Sequence, residues 1–471
     1  MEEAISYQVK SHSFDKIISN IEREGMSQRD RGTLFELLVT AYLKKEPMYA
    51  RLFDDVWMLA DVPEEYGVPK KDTGVDLVAR NRENGELVAI QCKYYSEDTS
   101  IQKSHIDSFL NEVGKSYYAE GIIVTSTDKW SDNANEALLN RDKNIARIGL
   151  SQLRESEIDW SQFSFERPQN VNLKSPKNPR EHQVPAIEAV VNGFNDVDRG
   201  KLIMAPGTGK TYTSMVIAER MAEKKDGTFT VLYLVPSIQL LSQSLRGWTA
   251  DSKYRNNMDT FAVCSDRKVT KKEKGQSEIE DIAAADLGYP ATTDYNKLLE
   301  RQKIIDSKEE QSEFLVVFST YQSIDVIIEA QKNGFYEFDL VVCDEAHRTT
   351  GATEAGKEAS AFVKVHSESN IKAKKRLYQT ATPRIYGEDA KQKADEMSVV
   401  IADMNDESIY GEELYRIGFG DAVNKGILTD YKVMVLAVDE EMIARSFQNM
   451  LANKRDTELE FDDVTMLEWF S

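Results

Sequence analysis

The chain has 471 residues, 41% of them hydrophobic, and a formal net charge of -21 at pH 7. That length supports two or three packed domains, and the acidic balance excludes a protein that coats nucleic acid uniformly, though not a local basic channel. The longest apolar runs, Gly121–Val124 and Phe314–Phe318, fall far short of the about 20 residues of a spanning helix; Met1–Ser6 lacks the basic-then-apolar pattern of a secretory signal, so a cytoplasmic protein without a membrane partner is expected.

Residues 1–163 read as a first unit. An apolar-patterned helix over Gly32–Ala41 carries Glu36, and Asn84-Gly85 is a two-residue turn signal that joins Val75–Arg80 to Leu87–Tyr94 as a β-hairpin. That turn pairs residue 76 with 93 and 78 with 91, placing Asp76 across from Lys93 and diagonal to Gln91. Strand side chains alternate, so Gln91 and Lys93 share one face. Asp76 and the Gln91 amide oxygen, with a backbone carbonyl such as that of Cys92, are hard oxygen ligands suited to magnesium, and Glu36 would complete the set. Lys93 would position or activate the attacking water and stabilise developing phosphate charge. The bland alternative is a half-buried hairpin with an Asp76–Lys93 ion pair. Cys92, Cys264 and Cys343 are odd in number and far apart, which suggests neither disulfides nor a zinc site.

Arg167–Pro179, with three prolines among polar residues, reads as a linker within 164–180. Beyond it short apolar runs alternate with helices: Lys201–Met204, Thr228–Val235, Phe314–Phe318, Leu340–Cys343 and Arg376–Gln379. Such runs belong in a parallel sheet covered on both faces, an α/β unit over residues 181–395. A charged stretch at about 251–312 reads as an insertion. Lys174, Lys177 and Arg180, then Arg267–Lys274, then Lys372–Arg376 are basic clusters that suit a solvated face or a nucleic-acid contact.

Met204-Ala-Pro-Gly-Thr-Gly-Lys-Thr211 supplies the strongest signal. A strand leads into a loop, Ala205, Pro206, Gly207, Thr208 and Gly209, whose amides can face phosphate, and Lys210-Thr211 open a helix with an anion-binding end. Lys210 would meet the β and γ phosphates of ATP, and the Thr211 hydroxyl would bind magnesium. Asp344 leaves a strand at its carboxyl end, where it can hold the metal; Glu345 is the natural base to orient a water, and His347 can sense the γ-phosphate. Thr380 and Thr382 offer hydroxyls at the same edge, and the Gln183 amide can read an adenine ring.

These residues resemble the helicase superfamily two core, with a RecA-like ATP-binding domain, and Asp344–Gly351 with Thr380–Tyr386 is similar to its restriction-enzyme branch. The front constellation resembles the Mrr-like PD-(D/E)xK nucleases, with Gln91 where many relatives carry Glu, and with the later strand Gly121–Ser126 and Trp130–Ala134 in that family's order. Nuclease followed by motor is similar to the N-terminal part of Type ISP single-polypeptide restriction enzymes. The resemblance implies a hydrolase that binds double-stranded DNA, uses ATP and Mg2+, and works with methyltransferase and target-recognition domains. It further implies that residues 396–471 begin an incomplete second RecA-like domain, with Tyr431–Leu436 as its first strand and no arginine finger, so efficient ATP turnover by this chain alone is not expected. The alternatives are a DNA-binding or repair helicase-like protein with an inert nuclease-fold module, and a truncated inactive remnant.

Overall fold

The structure, a computed structural model, describes residues 14–22, 26–71, 74–139, 141–264, 287–289, 291–354, 360–385 and 399–430. All but the last three of these lie in one compact unit, Met1–Ile427; the second unit, Leu428–Ser471, falls almost wholly outside the described residues, and the expected strand Tyr431–Leu436 with it.

The front of the chain forms a five-stranded sheet of β1 (Phe53–Met58), β2 (Leu77–Asn81), β3 (Leu87–Lys93), β4 (Glu120–Thr125) and β5 (Ile145–Ile148), in that order. β1 to β3 run antiparallel and β3 to β5 parallel, so β3 is central and its residues Leu87 to Gln91 are all buried. Helix Gln28–Lys45 starts at a capping box in which the Ser27 hydroxyl accepts from the Asp30 amide at 3.1 Å. It runs to Lys45, beyond the expected Gly32–Ala41, and buries Phe35, Leu38 and Val39. It docks beside the end of β3, where Gln28 Nε2 donates to the Tyr94 carbonyl and the Phe35 and Tyr94 rings lie 5.6 Å apart.

The hairpin register differs from expectation by two residues. Leu77 pairs with Ile90 and Arg80 with Leu87, because four residues, Arg82 to Gly85, form the loop and Asn81 N–H closes onto the Glu86 carbonyl at 2.8 Å. The Asn81 side chain accepts from the Glu83 amide, a local turn that competes with the tighter Asn-Gly one. A shift by two preserves which face each side chain occupies. Its effect is to bring Asp76 alongside Gln91 instead of Lys93.

A two-residue ladder, β6 (Ile158–Asp159) with β7 (Asn172–Leu173), ties the expected linker back to the front unit. Lys177 then fixes it forward, its Nζ 2.7 Å from Asp251. The connector is therefore pinned at both ends.

The second sheet contains seven parallel strands in the order β10-β11-β9-β12-β14-β8-β16. The strands are β8 (Arg199–Met204), β9 (Phe229–Val235), β10 (Met258–Val263), β11 (Phe314–Thr320), β12 (Phe338–Cys343), β14 (Ala373–Thr380) and β16 (Glu412–Ile417); β13 (Gly351–Glu354) and β15 (Val399–Ala402) form a separate antiparallel pair. All five sequence-predicted strands are present. Two corrections follow. β10 lies inside the expected insertion, fully buried, its apolar pattern masked by Asp259, whose carboxylate bonds Lys308 Nζ at 2.9 Å and Ser312 Oγ at 2.7 Å; residues 265–286 lie outside the described residues. β16 lies beyond the expected boundary at 395 and completes the same seven-stranded sheet beside β8. Its polar sequence, with Arg416 bonded to Glu413 at 2.7 Å, suits an edge strand with one wet face.

Four members of the described basic clusters are paired with acids, Lys177 with Asp251 being the first, whereas Lys174 Nζ donates to the Ser156 carbonyl. Lys374 meets Asp339 at 2.9 Å, Lys375 meets Asp198 at 2.8 Å, and the buried Arg376 bonds Glu368. Arg267–Lys274 lies outside the described residues.

The front sheet is clamped to the parallel sheet. Arg301, on helix Tyr295–Asp306, grips Glu83 of the β2–β3 loop with two nitrogens, one at 2.7 Å, while its guanidinium stacks 4.6 Å from the Phe261 ring of β10. Tyr49 Oη donates to the Gly288 carbonyl at 2.6 Å, and Gly288 has a φ of 66° with no room for a Cβ, which would sit 2.6 Å from that hydroxyl. Both Arg301 and Glu83 are about four-fifths buried, so each without the other is an uncompensated charge. Glu83→Ala and Arg301→Ala should each destabilise the chain by about 3 kcal/mol, and the double variant by little more; denaturant unfolding of the full cycle measures this.

Near the same joint, Glu46 is buried, accepts from the Glu157 amide at 2.9 Å, and burial pushes its carboxyl up to about 7, partly opposed by that hydrogen bond. A folded pKa raised above the unfolded one favours the native state at low pH and loses that contribution as pH rises through 7. Glu46→Gln should therefore be more stable than the parent at pH 8, by about 3 kcal/mol, with the gap vanishing below about pH 4.5; thermal unfolding across this range tests the sign.

Candidate functional site

Two sites emerge at strand ends. In the front sheet, Asp76 precedes β2, donates its amide to the Ile90 carbonyl and accepts from the Cys92 amide through Oδ2 at 2.7 Å. Gln91 is fully buried beside it. Its Nε2 donates to the Gly74 carbonyl at 2.7 Å, which fixes the amide and leaves Oε1 with no hydrogen-bond partner among the described residues. A buried orphan acceptor costs about 1–3 kcal/mol, so its retention points to a ligand it serves. Lys93 lies two residues on, on the same face of β3 and half-buried. Glu36, half-buried on helix Gln28–Lys45, belongs to this neighbourhood: burial first, then the charges of Asp76 and Glu36, push the Cys92 thiol well above its ordinary range. The donor set is thus carboxylate, amide oxygen and backbone carbonyl, which fits a hard divalent cation. Among the described residues, no three His, Cys, Asp or Glu side chains gather into a metal cluster.

In the parallel sheet, β8 ends at Met204 and helix Lys210–Ala222 begins six residues later. Gly207 and Gly209 take φ values of 79° and 86°, left-handed conformations that turn the loop. Thr208 braces it from within, its hydroxyl donating to the Ala205 carbonyl at 2.7 Å. Gln183 has a structural task besides the one expected of it: Nε2 donates to the Thr208 and Gly209 carbonyls at 3.3 and 3.2 Å, and Oε1 accepts from the Arg180 amide at 2.9 Å. Pro206 and Gly207 are exposed, whereas Lys210 and Thr211 are half-buried at the helix start.

Asp344 and Glu345 follow β12. Asp344 is buried, Oδ1 accepting from the Glu345 amide at 2.9 Å and Oδ2 from the Tyr233 hydroxyl at 3.1 Å. Burial, then the Glu345 charge, raises its carboxyl above the usual range, opposed by Lys210. Glu345 adopts a left-handed φ of 46°, a strain of about 1–3 kcal/mol for a residue with a Cβ. The conformation sets its carboxylate 3.8 Å from Lys210 Nζ and 3.4 Å from His347 Nδ1. His347 Nδ1 also lies 3.0 Å from Thr380 Oγ1, and burial lowers its pKa, so it is neutral at neutral pH and communicates by hydrogen bond. Thr380 in turn accepts from the Thr382 amide at 3.2 Å. The fold thus brings Lys210, Glu345, His347, Thr380 and Thr382 into one line of contacts across β8, β12 and β14.

Sequence reasoning overlooked Tyr233 and Gln379, which support Asp344 from β9 and β14. A signal existed: each is a polar side chain in a strand buried on both faces, where a hydrogen-bonding group has to find a partner.

Residues 44–170 match the family model of a restriction endonuclease, and residues 176–385 that of the Type III restriction enzyme, res subunit. Over 273 residues the chain is 26% identical to a probable helicase of African swine fever virus and 24% identical to the Type I restriction enzyme EcoAI endonuclease subunit of Escherichia coli, in each case across 57% of this chain and 25% of the relative. The chain spans about a quarter of the length of these curated relatives. Among solved structures, the ATP-dependent Type ISP restriction-modification enzyme LlaBIII bound to DNA is 52% identical, with a TM-score of 0.77 across 96% of this chain and 28% of that one. The chain therefore carries a nuclease domain and a helicase-like domain of the restriction-enzyme families, joined as in the Type ISP enzyme that it resembles.

Proposed function

We propose that this chain is the nuclease and motor portion of an ATP-dependent restriction endonuclease that acts on double-stranded DNA. The observation that carries the reading is the orphaned, buried Gln91 Oε1 beside Asp76 and Lys93, in one compact unit with the Lys210–Glu345–His347–Thr380 line.

In the front site Asp76 and Gln91, with the Cys92 carbonyl and Glu36, would hold magnesium. When bound, the ion polarises the scissile phosphate and makes a bound water more acidic. Lys93 positions the attacking water and offsets charge developing on the phosphate oxygens. In the motor site the amides of residues 206–209 and the start of helix Lys210–Ala222 cradle the phosphates of ATP, and Lys210 leaves Glu345 for the γ-phosphate. Thr211 and Asp344 would hold a second magnesium. Glu345, freed of Lys210, orients a water on the γ-phosphate, and His347 passes the change to Thr380 and Thr382 by hydrogen bond. Gln183 holds the loop and, by exchanging partners, reads the adenine. Target recognition and methylation would come from further domains or subunits.

Nicking of supercoiled plasmid with magnesium tests both halves. Lys93→Ala should abolish nicking and leave nucleotide binding unchanged, while Lys210→Ala should abolish nucleotide binding and with it any stimulation of nicking by ATP; nicking that survives Lys93→Ala would remove the nuclease assignment.

The neutral amide at position 91 carries its own prediction. Gln91→Glu adds a negative ligand, so divalent-ion affinity measured by calorimetry should tighten by about tenfold. Without the ion the same variant should melt lower than the parent, since it buries an unpaired carboxylate.

A further inference from the structure

Tyr233 and Gln379 form a polar bridge where the sheet is otherwise apolar. Tyr233 lies on β9, every residue of which is buried, and its ring packs 5.2 Å from Trp248 and 5.8 Å from Phe318. Its hydroxyl donates to Asp344 Oδ2 at 3.1 Å and accepts from Gln379 Nε2 at 3.0 Å. Gln379 therefore reaches the Asp344 carboxylate through the Tyr233 hydroxyl. Three strands meet at that hydroxyl: β9 through Tyr233, the end of β12 through Asp344, and β14 through Gln379. Gln379 Oε1 is buried without a partner among the described residues, so the amide is kept for its donating end at the cost of an orphan acceptor. Gln379 is also the residue before Thr380, which places the bridge one peptide from the coupling segment.

We propose that Tyr233 and Gln379 are positioning residues of the motor site: they hold the Asp344 carboxylate in register for magnesium, and they tie that register to the Thr380–Thr382 segment. The inference rests on the nucleotide-site reading given above. Tyr233 is the hinge of the arrangement because it donates to one side and accepts from the other. Replacing its hydroxyl removes the bond to Asp344 and leaves Gln379 Nε2 without its partner, while a phenylalanine ring still fills the pocket against Trp248 and Phe318.

The test is the affinity of the full chain for a fluorescent ATP analogue, measured by anisotropy with magnesium and with chelator. In the parent chain magnesium should tighten binding. Tyr233→Phe should leave the chelator value unchanged and reduce the magnesium-dependent gain by about fivefold or more, as expected for loss of a hydrogen bond to a charged group. Gln379→Met, which conserves volume, should reduce the same gain, and the double variant should fall no further than the worse single one. A purely structural role would instead lower both affinities together with the melting temperature. An undiminished magnesium gain in both variants overturns the inference while the nucleotide site stands, as does parent binding that is indifferent to magnesium. No nucleotide binding by the parent under either condition would overturn the nucleotide-site reading itself, and this inference with it.

Discussion

Burial of a parallel sheet on both faces is the constraint on which the motor half depends. β9, β11 and β12 are buried along their whole length, so the sheet offers chemistry at its carboxyl edge and almost nowhere else. The phosphate loop, the Asp344-Glu345 turn and the Thr380 segment are neighbours because β8, β14 and β12 are neighbours, although 33 residues separate His347 from Thr380 in the chain. Tyr233 and Gln379, polar side chains inside that sheet, are tied to Asp344 through one hydroxyl. The Asp344 carboxylate is thus anchored from inside the sheet, not from its surface.

The front site answers to a different constraint, the parity of an antiparallel hairpin. Asp76, Gln91 and Lys93 belong to one neighbourhood whatever the loop length, provided it changes by an even number. This explains why the site was legible in the sequence although the register was not. The Asn84-Gly85 signal pointed to a two-residue turn; the Asn81 side chain, bonded to the Glu83 amide, supports a four-residue one, and side-chain competition of this kind leaves no mark on periodicity. Parity carried the site through the error.

Elsewhere legibility followed hydrophobic contrast. The five continuous apolar runs of the motor were readable as strands, and the loop, acidic turn and threonine segment that follow three of them meet at one sheet edge. β10 and β16 were not readable, because each interleaves charge with apolar residues: Asp259 is answered by Lys308 and Ser312, and Arg416 by Glu413. Gln183 illustrates a further limit. Composition and position suggested recognition of a base, whereas its amide is also the strut of the phosphate loop; sequence names a group that can donate and accept, and only the fold says to whom.

The clamp between the two sheets has an evolutionary corollary. Arg301 meets Glu83, Tyr49 meets the backbone of Gly288, and the connector is stitched to the front unit by β6 and β7 and to the motor by Lys177. The first two contacts take one partner from either side of the proline-rich stretch, and the other two hold the stretch itself. Grafting this front domain onto an unrelated ATPase would strand a buried carboxylate and a buried phenol, while transplanting the motor would strand a guanidinium. Domain exchange is therefore disfavoured at this seam, and nuclease and motor are expected to be inherited as a pair, diverging together at residues 49, 83, 288 and 301.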